Sequence, residues 1–203
     1  MVTSNKELMM QARESLSGRW GLAVGTFFVY MLVMGVISGS ANFEGLKFVF
    51  GIVPLLVGGA FALGIAIFSL AIARKESANL KMIFSGFKYF GKTLGLYLLM
   101  ALFILLWMLL LIVPGIIAAI SYSLAFYIMS DDPNIEVMEA INKSKKMMYG
   151  YKWKYFCLYL RFVGWILLGI LSLGIGFLWI MPYMSISFAK FYDDVKANFV
   201  EGQ

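Results

Sequence analysis

One apolar stretch constrains this chain more than any other feature of the sequence. Residues 93–130 contain no charged side chain and are almost entirely apolar. A single helix of that length would be about 57 Å long, nearly twice the thickness of the hydrocarbon core of a membrane. Pro114 and Gly115 lie near the middle, where proline interrupts the backbone hydrogen bonds and glycine permits a turn. The stretch therefore predicts two transmembrane helices joined by a tight apolar turn.

The composition indicates that lipid is the solvent for much of the chain. Of its 203 residues, 62% are hydrophobic and only 14% are charged, whereas soluble domains have about 25% charged residues. The sequence has no histidine and a single cysteine, Cys157, which excludes internal disulfides and zinc sites built from these two residue types. We therefore expect an integral membrane protein that holds no metal and no other cofactor.

Six apolar segments are long enough to be candidate spans: 20–38, 49–72, 93–112, 114–130, 154–172 and 175–192. Lysine and arginine are concentrated on one side of them, with three in 1–19, five in 73–92, five in 131–154 and two from residue 190 onward. The loops on the opposite side contain one basic residue, Lys47. By the positive-inside rule, the basic segments and both termini are expected in the cytoplasm. This distribution explains the net charge of +6 without a nucleic acid partner.

A repeated pattern divides the chain into three units. The motif "GFKY" at 86–89 matches "GYKW" at 150–153, and the same spacing relates "SYSLA" at 121–125 to "SISFA" at 185–189. A looser copy has "SGRW" at 17–20 and "FSLA" at 68–71. The units cover about 5–72, 77–130 and 133–194. The sequence thus predicts an all-α polytopic membrane protein, a single domain over residues 1–203. It has six transmembrane helices in three repeated hairpins, each preceded by a cytoplasmic amphipathic helix.

Basic and aromatic residues follow a glycine at the end of each predicted amphipathic helix, as in "YGYKWK" at 149–154. Tyrosine and tryptophan prefer the headgroup layer, and lysine side chains reach the lipid phosphates from there. Membrane anchoring explains these clusters, and a ligand site is the alternative. We expect Arg19, Lys88 and Lys152 to form a basic ring at the cytoplasmic interface. The candidate contacts to anionic lipid headgroups are Arg19, Lys88, Lys152, Lys154 and Arg161.

Arg161 is the one charged residue well inside a predicted span, and such a charge is a functional hypothesis by default. Its position near the start of its span favours a side chain that extends to the cytoplasmic interface. There it would lie near Asp193, Asp194 or a lipid phosphate. The alternative is contact with a substrate.

Motifs for catalysis are weak. Residues 86–93, "GFKYFGKT", match the phosphate-binding loop pattern, but a helix is predicted before them and bulky aromatic residues lie inside. Serines recur on the cytoplasmic halves of the spans, but a serine without a neighbouring base is not a nucleophile; these are Ser69, Ser123, Ser185 and Ser187. We therefore predict no catalytic residue and no enzymatic activity.

Three blocks carry a resemblance to a known family: "VPGIIAAISYSLAFYIMSDDP" at 113–133, "EAINKSKKMMYGYKWKYF" at 139–156 and "LGIGFLWIMPYMSISFAKFYDD" at 173–194. They resemble the bacterial integral membrane family called domain of unknown function 975. More distantly, the chain is similar to the membrane domain attached to some glycerophosphodiester phosphodiesterases. The resemblance covers about residues 10–195 and implies a place in the bacterial inner membrane.

Two functions fit these observations. The first is a non-enzymatic scaffold or modulator that binds membrane lipids or a partner protein. The alternative is a small transporter or flippase-like carrier, which needs a cavity with polar groups near the membrane midplane. The sequence places few such groups there.

Overall fold

The computed structural model describes residues 3–39 and 47–199, and its regular structure is helical. Within these residues the elements follow in the order α1 Asn5–Leu16, α2 Trp20–Gly39, α3 Lys47–Ala73, a 3₁₀ helix Leu80–Tyr89, α4 Phe90–Leu110, α5 Ile112–Tyr122, α6 Ala125–Asp131, α7 Val137–Met147, α8 Lys152–Leu171 and α9 Phe177–Ala197.

Five segments are long and apolar enough to cross a membrane, so the prediction of a multi-pass membrane protein is confirmed. Among the described residues they are Trp20–Ile37, Val53–Ala73, Leu80–Leu110, Ile112–Asp131 and Lys152–Leu171. Helix α9, which contains most of the sixth predicted span, is not among them. Its last turns carry Lys190, Asp193, Asp194 and Lys196, and these charges lower its mean hydropathy.

Helix α3 lies at the centre of the bundle and packs against α2, the 3₁₀ helix, α4, α6 and α9. Glycines make these contacts close. A Cβ atom at Gly59 would overlap the carbonyl oxygen of Thr93, and one at Gly64 would overlap that of Ile83. Glycines in a span predict that helices approach each other closely in lipid, and the close approach is confirmed at these two positions. The glycines of α2 behave differently, because Gly21, Gly25 and Gly35 have open space around them.

Helices α4 and α5 fold back on each other as an antiparallel hairpin. The rings of Phe103 and Tyr122 lie 6.3 Å apart, and Gly115 packs directly on Met108. The predicted break is confirmed, but it occurs at Leu111, which has an extended backbone, rather than at Pro114 and Gly115. Pro114 instead occupies the first turn of α5, where backbone N–H groups have no acceptor within the helix, so the absence of an N–H in proline costs no hydrogen bond.

Helices α8 and α9 form a second antiparallel hairpin. Tyr155 and Phe191 contact each other near its open end, with ring centroids 5.3 Å apart. Gly169 faces Phe177 and Ile180 near the turn. The chain reverses through the predicted "LGIG" segment at 173–176, where Gly174 has a positive φ of 91°.

The polar helices that precede the hairpins differ from one another. The capping-box motif "SNKE" at 4–7 predicts a polar helix over 5–17, and α1 begins there, with the Ser4 hydroxyl accepting a hydrogen bond from the Glu7 N–H. The sequence predicts a second polar α-helix over about 77–85, but the structure has the 3₁₀ helix Leu80–Tyr89 there. A third is predicted to begin at Pro133 with Asp132 as its cap, but α7 begins at Val137, because Asp132 accepts a bond from the Asn134 N–H and holds a turn there.

Two of the three predicted helix-ending glycines are confirmed. Gly18 and Gly150 have φ values of 74° and 80°, a backbone conformation that glycine adopts without strain. Gly86 was predicted to end a helix in the same way, and this is wrong. It lies within the 3₁₀ helix, where a Cβ atom would overlap the carbonyl oxygen of Ala60 in α3. Close packing, not chain reversal, therefore requires glycine at this position.

Candidate functional site

A groove with three tryptophans in its walls lies between α1, α2 and the α8–α9 hairpin. We call it the tryptophan groove. Its volume is about 420 Å³. The residues that line it are Arg13, Trp20, Trp165, Leu168, Gly169, Ser172, Gly176, Trp179, Ile180 and Tyr183.

The walls of the tryptophan groove are held by contacts within the bundle. The rings of Trp20 and Tyr183 lie 6.5 Å apart, and the Tyr183 hydroxyl donates a hydrogen bond of 3.2 Å to the carbonyl of Met9. Ser172 donates to the Gly169 carbonyl and accepts from the Gly176 N–H, each at 2.8 Å. The polar atoms of the turn are thus satisfied by the backbone, and the groove surface is mainly apolar.

The tryptophan groove has a charged residue in its lining. Among the described residues that line it, Arg13 is the only charged one. Arg161 lies four residues before Trp165 on α8, so both residues occupy the same face of the helix, one turn apart. Both arginine side chains are exposed. The groove therefore combines an apolar wall with Arg13 in its lining, and Arg161 lies one helical turn from the lining residue Trp165.

Charged side chains cluster at one end of the bundle, around the start of α1 and the ends of α3, α6 and α9. We call this the charged end. Arg74 binds two carboxylates, with Nη1 2.8 Å from Asp131 Oδ1 and Nη2 2.7 Å from Asp193 Oδ1. Tyr192 and Lys196 donate further hydrogen bonds to Asp131. These contacts hold the guanidinium in its charged form and raise the pKa of Arg74 further. The cluster ties three helices together, and the described residues contain no group of side chains suited to a metal ion.

Asp194 forms a second contact at the charged end. Its carboxylate accepts hydrogen bonds from the Thr3 N–H and hydroxyl, at 3.1 and 2.6 Å, and from Lys154 Nζ at 2.7 Å. Burial raises the pKa of this carboxyl, but the bonds from Lys154 and Thr3 outweigh it, so the pKa lies below its ordinary value. The carboxylates of Asp193 and Asp194 are thus held by Arg74, Lys154 and Thr3, not by Arg161 as one predicted arrangement required.

The remaining candidate lipid contacts have different surroundings. Arg19 donates hydrogen bonds of 2.6 and 3.1 Å to the carbonyls of Glu76 and Lys75, which follow the C-terminus of α3. Lys88 is exposed, with Nζ 5.6 Å from the centre of the Tyr89 ring. Lys152 is half-buried at the first residue of α8. The three cations that the predicted repeat would make equivalent therefore have three different surroundings.

The segment that matches a phosphate-binding loop is used for packing. Lys92 Nζ donates to the backbone carbonyls of Pro133 and Asn134, at 3.2 and 2.8 Å. Thr93 is buried and donates to the Phe90 carbonyl at 3.0 Å. The lysine and the threonine are thus both engaged. The segment itself is helical, because it consists of the end of the 3₁₀ helix and the start of α4, and it has no loop in which backbone amides could surround a phosphate.

A second cavity was missed by sequence reasoning. Its volume is about 660 Å³, and it is partly open and lies among α2, α3, α4, α8, α9 and the α5–α6 junction. Hydroxyl groups distinguish it from the tryptophan groove, and we call it the hydroxyl cavity. The six hydroxyl residues are Tyr30, Tyr97, Ser123, Tyr127, Tyr155 and Ser185. The four tyrosines belong to four different helices, α2, α4, α6 and α8, so only the fold brings them together.

The sequence predicts that the recurring serines pack and bond to their own helices, and this bonding is confirmed for Ser123 and Ser187 but not for Ser69. Ser123 donates to the Ile120 carbonyl and Ser187 to the Tyr183 carbonyl, both at 2.8 Å. Ser69 is fully buried in α3 without a hydrogen-bond partner. None of these serines therefore adjoins a base in a way that would activate it.

Comparison with protein families finds a match to the family described as "Protein of unknown function (DUF975)". The family model matches residues 1–123 and 108–199, which together span almost the whole chain. Comparisons with curated proteins and with solved structures find no match. The helical fold with its five candidate spans, read together with this match, shows that the chain belongs to the DUF975 family.

Proposed function

We propose that this protein is a non-enzymatic membrane protein that binds an anionic phospholipid in the tryptophan groove. The observation that carries the proposal is Arg13, which is the one charged residue among the described residues that line the groove. A lipid bound there would be held on the protein surface, and this suits a scaffold or modulator in the membrane.

The lipid assignment rests on a proposed topology. Helix α9 is the sixth span, because it returns antiparallel to α8 and its charged residues lie at the end away from the turn. The three hairpins derive from one repeated unit, and both termini lie in the cytoplasm of a bacterial cell. Arg13 and Arg161 then face the inner leaflet, where anionic lipids attract basic residues by about 1 kcal/mol each.

The headgroup phosphate is the part of the lipid that Arg13 and Arg161 bind. Guanidinium groups match phosphate oxygens with paired hydrogen bonds, which a single ammonium group cannot reproduce. Two other cations at this end are already engaged, since Arg19 binds backbone carbonyls and Lys154 binds Asp194. Two arginines beside a groove whose described lining residues include no acidic side chain favour a headgroup with net negative charge over a zwitterionic one.

An acyl chain fills the rest of the groove. Trp165, Leu168 and Trp179 are each about half exposed, so they offer apolar surface that the protein itself leaves uncovered. Inside a membrane the gain comes from packing a chain against rigid rings rather than from the removal of water. The indole N–H group of Trp20, at the first residue of α2, also suits the interfacial layer near the headgroup.

A second candidate function is a carrier, and the hydroxyl cavity is the observation that favours it. A carrier needs polar groups inside the bundle, and six hydroxyl residues line this cavity. We rank it below lipid binding, because the sequence places no acidic residue inside a span that could couple transport to protons.

Native mass spectrometry of the full-length protein tests the proposal. The protein is exposed to equal amounts of phosphatidylglycerol and phosphatidylcholine, and bound lipid is counted for wild type and for the double variant Arg13→Gln, Arg161→Gln. We expect wild type to retain phosphatidylglycerol preferentially. The variant should lose about tenfold in affinity for it, since two charged contacts are removed.

The matched control is Lys81→Gln, which removes an exposed cation from the 3₁₀ helix, outside the groove. It should bind both lipids as wild type does. Equal retention of the two lipids by wild type, or an unchanged preference in the double arginine variant, would overturn the proposal.

A further inference from the structure

The hydroxyl cavity has the size and the position of a binding site. Its volume of about 660 Å³ falls within the range of about 300–1,000 Å³ that is usual for small-molecule sites. Residues from α2, α3, α4, α6, α8 and α9 line it, so it lies where the elements of the bundle converge. The tryptophan groove shares none of these lining residues. The two sites are therefore separate.

The lining of the hydroxyl cavity defines the chemistry of an occupant. Among the described lining residues, none is charged, and the polar side chains are those of four tyrosines and two serines. An ion would lose its hydration there without gaining an opposite charge, and that costs several kcal/mol or more. Hydroxyl groups both donate and accept hydrogen bonds, which matches a ligand whose own groups do the same. The occupant is therefore neutral and rich in hydroxyl groups.

Aromatic faces add a second requirement. Phe126 and Phe188 lie beside the four tyrosine rings in the lining, so the cavity offers flat apolar surfaces as well as hydroxyls. A sugar or polyol has the same division, with C–H groups on its faces and hydroxyls at its edges. A purely apolar chain would leave the hydroxyls without partners, which costs free energy inside a protein.

Two of the tyrosines in the lining, Tyr97 and Tyr127, have surroundings that suit contact with an occupant. The Tyr127 hydroxyl donates to the Ser185 carbonyl at 3.4 Å, a distance at which a hydrogen bond is weak and readily exchanged. Tyr97 lies over Gly58, where a Cβ atom would approach the ring carbon Cζ to 3.2 Å. The glycine therefore provides the room that allows the Tyr97 phenol to lie in the cavity.

From these observations we propose that the hydroxyl cavity binds a neutral polyhydroxylated group, either a free sugar or polyol or the glycosyl headgroup of a lipid. Both sources present the same chemistry to the tyrosines. They differ in whether an attached acyl chain contributes to binding. This site goes beyond the anionic-lipid site proposed above and does not depend on it.

Equilibrium titration of the full-length protein in nanodiscs tests the proposal. The probes are methyl glucoside, glucosyl diacylglycerol, diacylglycerol and phosphatidylglycerol. Saturable binding of a glucosyl compound, without matching binding of diacylglycerol, is the expected result. Binding of methyl glucoside identifies the free sugar as sufficient, and binding of glucosyl diacylglycerol alone identifies the lipid form.

Variants assign the binding to the cavity. The double variant Tyr97→Phe, Tyr127→Phe keeps the rings and removes two hydroxyls, and it should weaken glucosyl binding about tenfold. The matched control is Tyr149→Phe, at an exposed tyrosine on the chain surface outside the cavity. If the double variant does not fold, Ala62→Leu reduces the cavity volume instead and should also weaken binding.

Two results would overturn the proposal: no saturable binding of either glucosyl compound to wild type, or undiminished binding to both cavity variants. The variant Arg13→Gln, Arg161→Gln separates this site from the other one. It should bind the glucosyl compounds as wild type does, even where its binding of phosphatidylglycerol is lost.

Discussion

At the residue scale, Asp194 joins three segments of the chain at the charged end. It accepts hydrogen bonds from Thr3 before α1 and from Lys154 in α8, while its own backbone belongs to α9. Its side chain is 9% exposed and that of Lys154 is 19% exposed. Removal of one partner would leave the other charge poorly solvated, so this pair is expected to stabilise the fold more than an exposed pair does.

The variant Asp194→Asn should lower the free energy of unfolding by about 2 kcal/mol at pH 7. Thermal unfolding of the purified protein measures the change. Glu14→Gln is the control, because it removes an ion pair to Lys75 whose two side chains are 68% and 58% exposed, and it should have little effect. An equal effect of the two variants would show that the Asp194 contact contributes no more than an exposed pair.

The same contact gives a pH dependence with a defined sign. Folding lowers the pKa of Asp194, so its contribution to stability is fully present above the ordinary carboxylate range. The contribution is lost as the pH falls below about 4 toward the lowered pKa. Between pH 5 and 3 the wild type should therefore lose more stability than Asp194→Asn, as followed by thermal unfolding at each pH.

Residue types were easier to read from the sequence than residue partners. The sequence identified Arg161 as an unusual charge and Lys154 as part of a basic cluster. It could not show that Asp194, which lies in another helix, bonds to Lys154 rather than to Arg161. Such contacts depend on how helices are placed in three dimensions, and no spacing along the chain reports this.

At the scale of helices, glycine decides how closely α3 approaches its neighbours. Gly64 faces the carbonyl of Ile83, and Gly86 faces that of Ala60, so the backbones of α3 and the 3₁₀ helix touch from both sides. Substitution of either glycine by alanine would force two backbones apart. Flexible side chains cannot absorb the strain, because the opposing atoms belong to the main chain.

Gly64→Ala should therefore lower the free energy of unfolding by about 1–3 kcal/mol. Gly25→Ala in α2 is the control, since nothing lies near its added Cβ atom and alanine favours helix more than glycine does. We expect it to be neutral or slightly stabilising. Thermal unfolding in one detergent compares the two, and a tolerated Gly64→Ala would contradict the close approach of α3 and the 3₁₀ helix.

Helix ends could be predicted only where the signal is local. Gly18 and Gly150 end helices through their own backbone conformation, and the sequence identified both. Leu111 breaks the α4–α5 stretch although Pro114 and Gly115 carry the stronger local signal. Gly115 is needed for contact with Met108 across the hairpin, so its role depends on the opposite helix rather than on its own turn.

At the scale of the whole molecule, composition was sufficient to predict a multi-pass membrane protein. The length and apolarity of a span are properties of one segment, so five candidate spans could be recognised without knowledge of their packing. The two cavities required the fold. The hydroxyl cavity collects tyrosines from separate helices, and each of them alone has no distinguishing feature in the sequence.

The orientation of the molecule in the membrane is the last prediction, and it follows from the distribution of lysine and arginine. Single cysteines at Ser77 and Lys145, in a Cys157→Ser background, should be shielded from an impermeant thiol reagent added outside intact cells, because both positions lie in the basic segments. Both side chains are exposed on the protein, so permeabilised cells should label them.

Ser144, in the same segment as Lys145, is unsuitable as a reporter. It is fully buried and bonded to the Ser121 carbonyl, so a cysteine there would be shielded on either side of the membrane. Asn42, in a segment outside the described residues, is predicted from the sequence to lie on the opposite side and should label in intact cells. Labelling of the cysteine at position 145 before permeabilisation would reverse the orientation. It would also move Arg13 and Arg161 to the outer leaflet, where the proposed preference for anionic lipid would lose its basis.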